Sequence, residues 1–261
     1  DGDDKYRVFE LVLVNHPSES VELYDINNKP LADFAGLYEQ QVRLGTQTTA
    51  SSLALAHCYN WTSKHIGKGL TTVTFKIKMN DEDKLPNGLE NARWKVKGKR
   101  VYDPRQDLTV GGAGSQRWDD ETTWAWSDNP VLCALDYARF HGYRELSQSN
   151  FDLVHIMTQA NVCDEQVQYT DSNGQSATQA RYSCNGCFKI NGSQPETLAH
   201  IMRSCAGRVT RKGGKIYFYA GAYNGPSVLT LTEADASDTI KYNPWPALNK
   251  RVKTVRASII D

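Results

Sequence analysis

Between Thr71 and Met79, the apolar residues Val73, Phe75, Ile77 and Met79 alternate without interruption with Thr72, Thr74, Lys76 and Lys78. A period of two sends successive side chains to opposite faces, so this stretch predicts a half-buried β-strand. Tyr6–Val14 is dense in β-branched and aromatic residues and predicts a second strand. Arg93–Lys97 alternates again; in a strand, Trp94 and Val96 face a core while Arg93, Lys95, Lys97 and Lys99 share the other face. Asp81 to Gly88 holds charge, Pro86 and an Asn87-Gly88 pair, which is turn chemistry. Periodicity leaves Ser51–His57 open between helix and strand. The first hundred residues are therefore expected to be mostly β, as a barrel or sandwich.

The character changes from residue 103. Asp103-Pro104-Arg105, the run Gly111-Gly112-Ala113-Gly114-Ser115 and the tryptophans Trp118, Trp124 and Trp126 predict a long ordered loop and a domain boundary. Helices follow. Asp128 or Asn129 caps the first, with Pro130 in its first turn, Leu132, Leu135 and Tyr137 filling it and Gly142 ending it. Asn150 is the expected cap of a second, carrying Leu153, Val154, Met157 and Ala160. In the third, Leu198, Ile201, Met202 and Cys205 fall at i, i+3, i+4 and i+7 between Pro195 and Gly207. Strands are expected at Ala180–Cys184, at Lys215–Tyr219 after the Gly213-Gly214 turn, and at Val228–Leu231. The predicted class is α+β: a β-rich domain over 1–105, an ordered linker over 106–127, and an α+β domain over 128–261 with about three helices on antiparallel strands.

The 261 residues are 39% hydrophobic and 23% charged, which suits a packed fold, and 30 basic residues balance 30 acidic ones. Without a global field, affinity for nucleic acid or anionic membrane has to come from a local patch. No apolar run is long enough to span a bilayer. The first residues lack Met, and Ala257–Asp261 stops inside a strand-like run, so the chain is expected to be a piece of a longer protein.

Several clusters invite chemistry. Cys184-Asn185-Gly186-Cys187, flanked by Cys163 and Cys205, offers four thiolates to zinc. The outer spacings fit no ligand pair, however, and Cys205 lies on an apolar helical stripe, where a thiol behaves as a small hydrophobe. His57 and His65 lie near Cys58 and Trp61 without a ligand spacing. Gly111–Gly114 neither follows a clear strand nor opens a helix, as a phosphate loop would. Asp119-Asp120-Glu121 beside Trp118 and Trp124 has the composition of a sugar site, although packing plus solvated charge produces the same pattern. Arg93, Lys95, Lys97, Lys99 and Arg100 make a solvated face first and a nucleic-acid groove second.

A wider pattern joins these segments. Val101-Tyr102-Asp103-Pro104-Arg105 is followed by Trp126-Ser127-Asp128-Asn129-Pro130 and by Leu135-Asp136-Tyr137. Then come Ala160-Asn161-Val162-Cys163-Asp164-Glu165, Arg181-Tyr182-Ser183-Cys184-Asn185-Gly186, Gly214-Lys215, Gly221-Ala222-Tyr223, Leu231–Asp235 and Pro244-Trp245-Pro246 to Arg256. In number and order these resemble the tail-tip attachment proteins of long-tailed phages, the host-specificity protein J family of lambda-like phages, or central tail hub. The likeness covers most of 60–261; Cys187 stands where an aliphatic residue is expected.

The resemblance implies a structural virion protein made in the bacterial cytoplasm. It would trimerise at the end of the tail tube, meet the tape-measure protein and other tail-tip proteins, and allow DNA to pass without inserting in a membrane itself. It implies no catalytic, cofactor-binding or metal-binding residue. Trp118, Trp124 and Trp126 are then candidate contacts of the assembly, with packing between the two halves as the competing role. From another class, a cell-wall glycan hydrolase predicts two convergent carboxylates.

Overall fold

The computed structural model describes residues 5–79, 81, 83–141, 145–189, 192–222, 232 and 235. It divides into two compact units, Asp1–Gly221 and Ala222–Asp261. In the second, the Thr232 backbone N–H and hydroxyl both donate to Asp235 Oδ2 at 2.8 Å, a local turn. The expected strand at Val228–Leu231, the helix end at Gly142 and the C-terminal run lie outside the described residues.

The first unit opens with β1 (Tyr6–Val14), β2 (Ser20–Ile26) and β3 (Tyr38–Leu44). A short helix α1 (Ser52–His57) precedes β4 (Thr71–Lys78) and β5 (Ala92–Lys97). Two antiparallel sheets result, one in the order β1-β4-β3 and one pairing β2 with β5. They form a sandwich, not a closed barrel. Between them lie Val21, Leu23, Ile26, Phe34, Val73, Phe75, Ile77 and Leu85, with Trp94 and Val96 packed against them. Phe75 is fully buried, tilted against Phe9 at 5.7 Å and edge-on to Trp94 at 5.4 Å. Truncating such a ring to alanine costs about 3–5 kcal/mol.

The opposite face of β1-β4-β3 is also covered, but by polar groups. The register aligns Glu10 with Thr74 and Gln41, and Val12 with Thr72 and Arg43. Ser51 caps α1 by accepting from Ala54 N and contacts Thr74 Oγ1 at 2.6 Å and Gln41 Oε1 at 2.6 Å. Thr74 donates to Glu10, and Arg43 donates to the Thr49 and Ile66 carbonyls. This hydrogen-bonded layer is why β4 is buried on both faces although only one is apolar.

A two-residue pair, β6 (Arg100–Val101) and β7 (Ala125–Trp126), brackets the loop from 102 to 124. Helices α2 (Pro130–Phe140) and α3 (Leu153–Asp164) follow, then the hairpin β8 (Gln166–Thr170) and β9 (Ser176–Ala180), α4 (Gln194–Arg203), and the hairpin β10 (Arg208–Lys212) and β11 (Lys215–Tyr219). The helices and the β10–β11 hairpin enclose a second core that includes Val131, Leu132, Leu135, Ile156, Cys163, Met202, Cys205 and Phe218. Antiparallel strands with segregated helices make the fold α+β.

Three local expectations are corrected. Asn150 belongs to a 3-10 turn begun by Ser147, and α3 is capped instead by Asp152, which accepts from His155 N at 3.0 Å. Its buried stripe is therefore Ile156, Gln159, Ala160 and Cys163, and Val154 is 66% exposed. Arg181–Cys184 is not a strand: β9 ends at Ala180, and the stretch is tied to helix ends through Tyr182 N–Cys163 O (3.1 Å) and Cys184 N–Asp128 O (2.7 Å). Finally, residues 106–127 do not merely link, because Trp118 and Trp124 enter the second core together with Val101 and Tyr102.

Candidate interaction surface

The loop between β6 and β7 is built by short-range capping. Asp103, Asp107 and Asp120 each accept from the backbone N–H two residues on, which closes three 3-10 turns in succession. Gly112 and Gly114 lie against the backbone of 104–106; a Cβ on Gly112 would come within 2.4 Å of Pro104 O. The glycines therefore serve close approach of two chain segments, not a phosphate.

Asp107 is the polar centre of the loop. It accepts from Tyr102 Oη (2.7 Å), Thr109 N (2.9 Å), Thr109 Oγ1 (2.7 Å) and Arg117 Nη1 (3.2 Å). Burial alone raises a carboxyl, but the hydrogen bonds from Thr109 and Tyr102 and the Arg117 charge outweigh it, so Asp107 lies below the usual carboxylate range. Burial and the Asp107 carboxylate push the Tyr102 hydroxyl up.

The three tryptophans separate. Trp118 and Trp124 are 7% and 3% exposed. Trp118 stands edge-on to Tyr102 at 5.3 Å, and Trp124 Nε1 donates to Arg117 O at 2.8 Å. Between them runs Arg139, whose guanidinium lies 4.2 Å from the Trp118 ring and 5.3 Å from the Trp124 ring and donates to Trp118 O at 2.6 Å. Both rings are thus core residues, and their expected place on a contact surface is corrected: Tyr102, Arg139 and Phe140 already occupy their faces. Trp126 differs. It is half-buried on β7, with Lys97 Nζ 4.9 Å above its ring.

Around Trp126 the outer face of β2-β5 carries Tyr24, Arg93, Lys95 and Lys97, and Tyr24 is 62% exposed. Most cations here are engaged. Arg93 forks onto Asp25, a side-chain hydrogen bond that holds the Asp25 carboxyl below its ordinary range. Arg100 meets Glu19 at 2.6 Å, Lys99 meets Asp136 at 2.8 Å, and Lys95 faces Glu22 across the sheet. The face is a mixed-charge surface with aromatic rings, the composition of a polar contact rim more than of a phosphate-tracking groove.

The other clusters do not converge. Asp119 is a 90% exposed side chain and Asp120 is spent capping Thr122. His57 bonds Lys76 at 3.2 Å, beside an open recess of about 400 Å³ lined by Glu39, Gln41 and Leu53. His65 accepts from Thr62 N and stacks on Trp61 at 4.8 Å. Among the described residues no three His, Cys, Asp or Glu side chains gather as a metal set, and no helix is long and apolar enough to cross a membrane. Of the four cysteines considered for zinc, Cys163 and Cys205 are buried in the second core, Cys184 is half-buried and Cys187 is exposed.

A knot of residues that sequence reasoning could not join is also present. Arg105 binds Asp103, Asn161 Oδ1 (3.0 Å) and Asp164 Oδ2 (2.8 Å), while Asn129 Nδ2 reaches Ala160 O (2.9 Å) and Asp164 Oδ1 (2.9 Å). Asn129 Oδ1 meanwhile caps α2 at Val131 N and Leu132 N. Compared with models of known protein families and with curated proteins, the chain matches none.

Proposed function

We propose that this chain is a hub part of a phage or prophage tail-tip protein of the host-specificity protein J type, a structural component of the virion. One observation carries the reading: the ordered run of segments that resembles that family, from Val101–Arg105 to Arg251–Arg256. The structure adds a physical rationale for those segments. Asp103, Arg105, Asn129, Asn161 and Asp164 come from three separate parts of the run, and they bond one another rather than surround a cleft. Residues used this way specify a shape, which is what a protein working through its surfaces needs. In this reading the complete protein forms a trimer, caps the tail tube, meets the tape-measure protein and its tail-tip neighbours, and lets DNA pass.

A ring interface is heterologous, so each copy presents two different surfaces. The exposed aromatic and charged face around Tyr24, Lys97 and Trp126 is our candidate for one of them. Light scattering of the full-length protein tests the assignment: a trimer is expected, and a monomer at high concentration would sink it. Glycan hydrolysis that disappears on Asp119→Asn or Asp120→Asn would establish the enzyme reading instead.

A further inference from the structure

We propose that the outer face of the β10–β11 hairpin binds single-stranded nucleic acid, with its cations on the phosphates and Tyr217 and Tyr219 stacking against bases. The chain as a whole is neutral, but no Asp or Glu lies between Glu196 and Glu233, while Arg203, Arg208, Arg211, Lys212 and Lys215 all fall there. All five are exposed, and none forms an ion pair with another described residue. By contrast, Arg93, Arg100, Arg105, Arg117, Arg139 and Arg181 each meet an acid. The hairpin is thus a local positive field on a protein without a global one. The inference stands on the hairpin alone and does not depend on the tail-hub reading.

Strand register sorts the side chains. Arg208 lies opposite Tyr219, Thr210 opposite Tyr217, and Lys212 opposite Lys215, so all six share one face of the pair. Ile216 and Phe218 point the other way and are buried in the second core, against which Val209 also packs. The platform is held firmly. His155 Nε2 donates to Phe218 O at 2.9 Å, and Ala220 N donates to Gln159 Oε1 at 2.8 Å. The rings of Tyr217 and Tyr219 are half-buried and inclined by only 25°, with centroids 6.5 Å apart. The Arg208 guanidinium stands 5.5 Å from the Tyr219 ring. Asp152 approaches Tyr217 Oη at 3.4 Å, but its carboxylate also caps α3 through His155 N.

Two rings two residues apart on one strand, flanked by cations, suit a ligand that alternates flat bases with phosphates. Every base has a π face, so binding is expected to tolerate any sequence. A duplex keeps its bases stacked on one another and offers the rings no free face. A bilayer would need apolar side chains to bury, whereas the hairpin tip is Lys212-Gly213-Gly214-Lys215. Like charges directly opposite each other destabilise a strand pair, and Lys212 faces Lys215 with no acid between them. A phosphate placed there removes that repulsion.

Fluorescence anisotropy of the purified full chain with a fluorescein-labelled oligothymidylate of about 16 nucleotides tests the proposal. A dissociation constant of about 1–100 µM is expected at moderate salt, and log affinity should fall against log salt with a slope of about −2, for three phosphate contacts. No binding, or a duplex of the same length bound as tightly, would overturn the proposal. If the chain sediments with phosphatidylserine vesicles and leaves the oligonucleotide free, the face is a membrane contact and the proposal fails. Lys212→Gln with Lys215→Gln, at the exposed turn, should flatten the slope by about 1.4 and weaken binding about tenfold. Tyr217→Leu should weaken binding about tenfold with the slope unchanged. Parent-like binding by either variant, in protein that melts like the parent, counts against the assignment. Ultraviolet crosslinking of the unmodified chain to the oligonucleotide needs no variant: peptide mapping should place the adduct on Tyr217 or Tyr219, and adducts confined to other segments refute the site.

Discussion

Lys99 Nζ lies 2.8 Å from Asp136 Oδ1, so an ion pair ties the segment between β5 and β6 to the middle of α2. The ammonium also sits 4.1 Å from the centre of the Phe140 ring. Burial raises the Asp136 carboxyl, and the Lys99 charge offsets only part of that. A carboxyl raised in the fold stabilises below its unfolded value near 4, and that contribution is lost as pH rises through the folded value. Denaturant unfolding at several pH values should therefore show Asp136→Asn with a flatter pH profile than the parent between pH 4 and 7. Asp136→Leu alone should cost about 2–3 kcal/mol, and Lys99→Met with Asp136→Leu should recover most of it, because an apolar pair replaces a buried ion pair at little cost. A double variant as unstable as the sum of its singles would refute this.

Asp107 has the opposite sign. Its folded carboxyl lies below the ordinary value, so the stability it supplies is present above about pH 4 and fades as pH falls through the lower folded value. Asp107→Asn should cost about 2 kcal/mol at pH 7, since Arg117 loses a charged acceptor and an amide NH2 replaces the oxygen that accepts either from Tyr102 or from Thr109. The gap between variant and parent should narrow on acidification; a gap constant from pH 7 to pH 2 would argue against the carboxylate as its source.

Gly112→Ala tests the close approach of loop segments. A Cβ there meets backbone oxygens of Pro104 and Arg105 at 2.4 and 2.5 Å, and backbone yields less than a side-chain tip. The expected loss is about 1–3 kcal/mol in unfolding free energy. Gly111→Ala meets no atom within 4 Å but carries φ near +98°, so its cost is conformational, about 1–2 kcal/mol.

Trp124→Ala and Trp126→Ala separate packing from contact. Trp124 is core, and its truncation should lower unfolding free energy by about 3–5 kcal/mol. Trp126→Ala should change the stability of the chain by under about 1.5 kcal/mol and, on the proposed hub reading, weaken self-association of the full-length protein, as loss of an interface aromatic does. Unchanged trimerisation in Trp126→Ala removes this face from the assembly.

The parts of the fold legible in the sequence were those with strong local signals. The alternation at Thr71–Lys78 and Ala92–Lys97, the Asn129-Pro130 start of α2 and the stripe of α4 each predicted their element and buried face. Weakly patterned strands were not legible: Tyr38–Leu44 presents Gln41 and Arg43 to a buried polar layer, so its sequence reads as surface. The Arg105–Asp164–Asn129 knot depends on residues brought together only by tertiary folding. Trp118 and Trp124 misled for a related reason: aromatic excess in a loop looks like surface until the loop is seen folding back onto α2.

The separation of the two hydrophobic cores has a temporal side. Every residue of the first, from Phe9 to Val96, precedes every residue of the second, from Val101 to Ala220. At about 5–20 residues per second of synthesis, the amino-terminal sandwich emerges whole from the ribosome several seconds before the last strand of the second core. Its exposed sheet surfaces can close while α2 is still being made, so the aggregation-prone β-rich half need not wait for the helices.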